Sequence, residues 1–277
     1  MSELIKSSLF KLKSKKILNP ELDLRLLLNN TNKNKKEIIL SNLEEKFIDI
    51  KTFNAYLERR LNYEPISKII NKKSFWKYDF YVNQDVLDPR PETELILEES
   101  LNFVKNKKKY INILDIGTGS GCIIISILKE RKRCYGVGID ISKNAVKLAK
   151  YNAKIQHIDN RIKFFNSNID NFYGDKYDLI ISNPPYIEKY KINGLEKDIK
   201  YHEPKVALDG GIDGFSKIKL IIEKSSTLIK KKGKLFLEIG KNQTSETLKI
   251  LNLNGFYKTE VIKDLANKNR CIISTKI

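Results

Sequence analysis

The sequence predicts an α/β protein, a mostly parallel sheet covered by helices on both faces and preceded by a small helical domain. Three observations lead there. Short apolar runs alternate with helical patterns from Tyr110 to the end, the first 72 residues carry helical periodicity without a glycine, and a glycine-rich turn joins the first strand of the later region to its helix. Strands separated by helices need crossover connections, and crossovers pair strands in parallel.

In the first region, helical patterns cover Leu22 to Leu28, Lys36 to Leu43 and Phe53 to Leu61, with Asn-rich breaks between them. They define a helical domain over residues 1–72. Residues 73–88 hold Phe75, Trp76, Tyr78, Phe80 and Tyr81 in a strand-like stretch, a hairpin or extended connector. Pro89 and Pro91 then force a rigid extended path, and a helix is expected to begin near Glu92. The second domain spans 89–277. Its seven strands are Ile111 to Ile116, Gly136 to Asp140, Ile162 to Phe164, Tyr177 to Ser182, Lys234 to Ile239, Tyr257 to Lys263 and Cys271 to Thr275. Helices are expected from about Cys122, from Ser142 to Ala153, from Phe215 to Ile229 and from Gln243 to Leu253.

Composition narrows the function classes. With 277 residues and 41% apolar side chains the chain can bury a substantial core. The lysine-interrupted start has no signal-peptide core and no apolar run reaches membrane-spanning length, so no membrane association and a cytoplasmic protein are expected. Cys122, Cys134 and Cys271 are scattered and His157 and His202 isolated, so neither disulfides nor a bound metal are expected. The net charge of +18 draws polyanions, but lysines outnumber arginines 44 to 8 and lie throughout the chain. Arginine is the residue suited to bidentate phosphate and base contacts, so no dedicated nucleic-acid binding is expected. The chain is expected to act as a monomer.

Two motifs carry chemistry. Between the first strand and its helix lies Asp115-Ile116-Gly117-Thr118-Gly119-Ser120-Gly121, and Asp140 follows Gly119 by 21 positions, at the second strand's end. Glycines let a ligand approach the backbone, and a carboxylate at that spacing suits ribose hydroxyls. The Gly-x-Gly-x-Gly spacing differs from the dinucleotide Gly-x-Gly-x-x-Gly and favours S-adenosylmethionine. The second motif is Asn183-Pro184-Pro185-Tyr186, directly after the fourth strand. Its prolines stiffen a loop at the carboxyl end of a parallel strand, where such sheets bind ligands. The Asn183 side-chain oxygen and the Pro184 carbonyl can each accept an N–H from a planar amide, with Tyr186 as a stacking wall.

Three further segments accompany these motifs: Glu64-Pro65-Ile66 followed by Phe75-Trp76, Pro89-Arg90-Pro91-Glu92-Thr93-Glu94, and Glu203-Pro204 followed by Ala207-Leu208. With them, nearly the whole chain resembles the HemK/PrmC family of protein-(glutamine-N5) methyltransferases. The resemblance implies a Rossmann-like, seven-stranded class I S-adenosylmethionine-dependent methyltransferase domain behind a helical domain that helps grip class 1 peptide chain release factors. It implies transfer of a methyl group to the glutamine of their Gly-Gly-Gln motif, and leaves open whether the ribosome takes part. Asn183, Pro184 and Tyr186 would be catalytic, and Asn183 to Tyr186 with Arg90, Pro91 and Glu92 would bind substrate. For Arg90 and Glu92, a salt bridge and a helix start are the alternative. Asp115, Gly117 to Gly121, Asp140 and Asn183 would line the cofactor site. Family members carry an acid and an aromatic after the third strand, where this chain reads Ser167-Asn168-Ile169-Asp170. Asn168 and Ile169 are assigned there, with a register slip to Asp170 as the alternative.

Two other functions compete. An N6-adenine methyltransferase of DNA or RNA uses the same loop, but must flip its base and needs a recognition region, and Ile187 to Tyr201 is short. A catalytically silent binding module leaves both intact motifs without a purpose.

Overall fold

The computed structural model describes residues 2–34, 37–40, 44–105 and 109–277. They fall into two units, Met1–Lys72 with Leu195–His202, and Lys73–Gly194 with Glu203–Ile277. From the sequence the helical domain ends at residue 72, with no sign that Leu195–His202 belongs with it. That segment is short, polar and half-buried, so its membership rests on pairings that local periodicity does not encode.

In the first unit, Ser2 caps α1 (Glu3–Ser14) by accepting from the Ile5 amide, Pro20 opens α2 (Pro20–Thr31), and Asp49 caps α3 (Ile50–Leu61) by accepting from the Thr52 amide. Buried Ile5, Leu9 and Leu12 of α1, Leu24, Leu27 and Leu28 of α2, and Phe53, Leu57 and Leu61 of α3 recur every three or four residues and form one core. A short helix α4 (Ile66–Ile69) ends the unit's first stretch. The expected helix Lys36 to Leu43 lies partly outside the described residues, and residues 37–39 take no helical conformation.

A buried guanidinium ties these pieces together. Arg60 Nε donates to Asp23 Oδ2 at 2.7 Å, and Nη1 donates to Asp198 Oδ2 at 3.1 Å in the helix Lys197–His202. Lys68 Nζ donates to the His202 carbonyl at 2.6 Å, and the His202 ring meets the Asn62 carbonyl.

The second unit begins with a hairpin, β1 (Lys73–Phe75) and β2 (Tyr78–Phe80), and a single turn of 3₁₀ helix, Pro91–Thr93, precedes α5 (Glu94–Val104). The α-helix thus starts two residues after the expected Glu92, because Pro91 is accommodated in the tighter turn. Next come β3 (Ile111–Ile116), α6 (Cys122–Glu130), β4 (Cys134–Asp140), α7 (Lys143–Ile155), β5 (Ile162–Asn166) and β6 (Tyr177–Ser182). The helix Lys197–His202 is α8, and the chain closes with α9 (Ser216–Leu228), β7 (Ile229–Glu238), α10 (Thr244–Leu253), β8 (Phe256–Lys263) and β9 (Asn269–Lys276).

The seven-stranded sheet has the order β5-β4-β3-β6-β7-β9-β8. Its first five strands are parallel, while β9 runs antiparallel to both β7 and β8. Alternate residues feed opposite cores: Ile113, Leu179, Ile181 and Phe236 on one face, Leu114, Ile180, Leu235 and Leu237 on the other. The chain leaves β3 toward β4 and β5, then returns to β6 on its other side, so a crevice opens at the carboxyl ends of β3 and β6. Among the described residues no helix is long and apolar enough to cross a membrane.

Removing one member of a buried ion pair strands the other without its counter-charge. Arg60→Met is expected to cost the helical unit about 3–5 kcal/mol, read as faster hydrogen exchange of α1, α2 and α3 amides. Unchanged exchange contradicts that role.

Candidate active site

The carboxyl ends of β3, β4 and β6 open on one cavity of about 190 Å³. Gly117 and Gly119 form its floor with φ of +74° and +54°, values that disfavour side chains, and nothing lies within 4 Å of where their Cβ atoms would stand. Asp140 fixes this turn: Oδ2 accepts from the Gly119 amide and Oδ1 from the Ser142 amide, both at 2.9 Å. Asp115 Oδ2 accepts from Thr118 Oγ1 at 2.7 Å, while its buried Oδ1 has no partner among the described residues. Burial pushes the Asp115 carboxyl up to about 7, against the Thr118 hydrogen bond and with help from the Asp140 charge.

Gly117, Thr118, Gly119, Ser120, Asp140, Ser167, Asn168, Ile169, Asn183, Pro184, Pro185 and Arg90 border the cavity. Asp115, Gly121, Pro91, Glu92 and Tyr186 do not. Asp115 sits beneath the turn and braces it, and Gly121 takes a left-handed φ of +79° that favours glycine. Asn168 and Ile169 face the cavity, whereas Asp170 lies off it, 3.9 Å from Lys224 Nζ. Arg90 borders the cavity and also pairs with the buried Glu203 at 2.8 Å. His202 stands with the first unit.

The Asn-Pro-Pro-Tyr turn is held from behind. Asn183 Nδ2 donates to Thr93 Oγ1 at 3.0 Å, and Thr93 Oγ1 donates to Glu238 Oε2 at 2.8 Å, at the end of β7. Tyr186 OH donates to Glu238 Oε1 at 3.4 Å, and Tyr186 is not among the residues bordering the cavity. Burial pushes Glu238 up to about 7 and Tyr186 up to about 12. Gln243 Nε2 donates to the Tyr186 carbonyl at 3.2 Å and to the Gly214 carbonyl at 3.0 Å. The chain after Tyr186 pairs with the stretch Leu208 to Gly210, where a Cβ on Gly210 would come within 2.8 Å of the Tyr186 backbone. Of these bracing residues Glu238 left a readable signal, an acid ending an apolar strand as Asp115 and Asp140 do. Thr93 and Gln243 left none.

Residues 92–198 match the Methyltransferase small domain family. The chain is 36% identical over 269 residues to the "Release factor glutamine methyltransferase" of Caulobacter vibrioides, covering 96% of this chain and 93% of that protein. It belongs to the release factor glutamine methyltransferase family. The Rhodospirillum rubrum relative of the same name is 34% identical over 228 residues, covering 82% of this chain and 70% of that protein. A "Bifunctional methyltransferase" of Rickettsia felis is 34% identical over 290 residues, and the chain spans 55% of its length. Among solved structures, the hMettl16 catalytic domain in complex with MAT2A 3'UTR hairpin 6 aligns with a TM-score of 0.60 at 16% identity, over 72% of this chain and 75% of that one. A methyltransferase from Pyrococcus furiosus aligns at 0.54 with 17% identity, over 80% and 98%. These two likenesses bear on the fold alone, and the second unit of this family member has the class I S-adenosylmethionine-dependent methyltransferase fold.

The residues present fit that cofactor. Open space over Gly117 and Gly119 leaves the backbone approachable, and each Asp140 oxygen, engaged by one amide, keeps acceptor capacity for a ribose hydroxyl.

The raised Asp115 carboxyl has a consequence for stability. Between about 3.8 and about 7 the folded family member holds a proton that the unfolded chain has lost, so this contribution is complete at low pH and disappears as pH rises through 7. In cofactor-free protein, the Tm of wild type is expected to fall relative to that of Asp115→Asn across this window. Parallel Tm curves contradict it.

Proposed function

We propose that the protein transfers the methyl group of S-adenosyl-L-methionine to the side-chain amide nitrogen of the glutamine in the Gly-Gly-Gln motif of class 1 release factors. The observation that carries this reading is the fixed orientation of Asn183 on the cavity wall. Thr93 has one hydroxyl hydrogen and gives it to Glu238, so its oxygen accepts from Asn183 Nδ2. The Asn183 Oδ1 is thereby left as an acceptor beside Pro184.

An amide nitrogen is a poor nucleophile because its lone pair is delocalised into its carbonyl. Oδ1 of Asn183 and the carbonyl of Pro184 each accept one N–H of the glutamine amide, which turns the nitrogen lone pair toward the methyl donor. The bound cofactor supplies an electrophilic methyl on a sulfonium. That methyl would pass to the nitrogen lone pair that Asn183 and Pro184 aim, and the proton of the methylated amide would leave to water. Orientation of this kind supplies up to about 7–11 kcal/mol. Gly117 to Ser120 and Asp140 hold the cofactor, with Asn168 and Ile169 toward its base. Arg90 borders the glutamine pocket while Glu203 holds its guanidinium. The helical unit helps grip the release factor.

The test is transfer of labelled methyl to purified release factor and, in parallel, to DNA and RNA. Label is expected on the Gly-Gly-Gln glutamine, and label on nucleic acid alone overturns the reading. Asn183→Ala is expected to lower kcat about 100-fold, a loss typical of a preorganised polar group, with cofactor Kd nearly unchanged. Unchanged turnover contradicts the mechanism.

A further inference from the structure

The cavity's own residues do not explain why a carboxyl is buried at the end of β7. Glu238 is 3% exposed and does not border the cavity. Its neighbours are neutral hydroxyls, Thr93 at 2.8 Å and Tyr186 at 3.4 Å, rather than a paired cation. Arg270 on β9, whose charge reaches Glu238, hydrogen-bonds Asp264 and the Ile239 carbonyl instead. Glu92 adds like charge from the turn before α5, and the buried Cys271 thiol faces it from β9. Burying a carboxylate without a direct cation is costly, so a hydrocarbon side chain of this size serves stability better.

Hydrogen-bond direction supplies the reason. We infer that Glu238 is a positioning residue for methyl transfer: acting through Thr93, its carboxylate sets which end of the Asn183 side-chain amide faces the substrate. The inference rests on the proposed function and deepens it. A carboxylate only accepts, so it takes the hydrogens of both Thr93 and Tyr186. The Thr93 oxygen is then an acceptor, Asn183 must offer it Nδ2, and Oδ1 faces the cavity as the acceptor that an amide N–H needs. A protonated carboxyl has a hydrogen to give. Given to Thr93, it frees the Thr93 hydrogen for Asn183 Oδ1, the Asn183 amide turns over, and an N–H faces the N–H groups of the substrate. Two donors cannot bond each other, so the substrate amide loses its orientation.

Burial already places Glu238 near neutrality, about 7, against the Thr93 and Tyr186 hydrogen bonds and the Arg270 charge. The wild-type enzyme is therefore expected to lose kcat as pH drops through this region. Glu238→Gln cannot change its proton count, so its kcat is expected to show no fall there. Thr93→Val keeps the shape of the side chain and removes the link. It is expected to lower kcat about 10- to 100-fold, the effect of one lost charge-assisted hydrogen bond in the transition state, with Kd for S-adenosylhomocysteine and KM for release factor within about twofold. Thr93→Ser, which keeps the hydroxyl, is expected to restore both the rate and the wild-type pH profile.

Two results overturn the inference while leaving the proposed function standing: a Thr93→Val enzyme with wild-type kcat, or a Glu238→Gln enzyme that still loses activity as the pH falls. Should Thr93→Val fail to fold, the Glu238→Gln and Thr93→Ser profiles decide between the same alternatives. A wild-type enzyme that leaves release factor unlabelled overturns the proposed function itself, and the inference with it.

Discussion

The proposed reaction depends on a side-chain amide being held in one of its two orientations. Asn183 offers an oxygen and a nitrogen of nearly the same shape, so sterics alone do not choose between them. The choice is made by the hydrogen-bond chain to Thr93 and Glu238, which starts at the cavity and ends in the core. The backbone is fixed by other means, two prolines in sequence, a Gln243 amide on the Tyr186 carbonyl, and a glycine at 210 that lets two segments pass within a Cβ of each other.

The same device recurs along the sheet's carboxyl edge. Asp115 ends its side chain on Thr118, Asp140 on the amides of Gly119 and Ser142, and Glu238 on Thr93. Each is a carboxyl at the end of a buried strand, and burial raises each above its ordinary pKa. Among the described residues none forms a salt bridge with a cation. A carboxylate can accept from several donors at once, so one such group fixes a whole turn where a hydrocarbon would leave it loose. The cost in stability falls where the loops must be stiff, which is the expected place for it in an enzyme.

Much of this was legible in the sequence, for identifiable reasons. The strands β3 and β6 read clearly because they are buried on both faces and almost continuously apolar, and the motifs sit at their carboxyl ends because topology leaves no other place for a ligand crevice. The antiparallel pair β8 and β9 was less clear, since the direction of its strands is set by long-range pairing. The hydrogen bond from the Tyr186 hydroxyl to Glu238 was not readable, because its partner lies 52 positions away. Thr93 was visible only as part of a matched segment, because its role exists only when β7 is folded beside it. Leu195–His202 was unreadable as part of the helical unit for the same reason: Asp198 finds Arg60 across 138 positions.

The most direct test of the account is a crystal structure of the protein with S-adenosylhomocysteine and a Gly-Gly-Gln peptide bound. The glutamine amide nitrogen is expected within hydrogen-bond distance of both Asn183 Oδ1 and the Pro184 carbonyl, with its open face toward the cofactor sulfur. A glutamine amide bound elsewhere, or one facing Asn183 Nδ2, contradicts it.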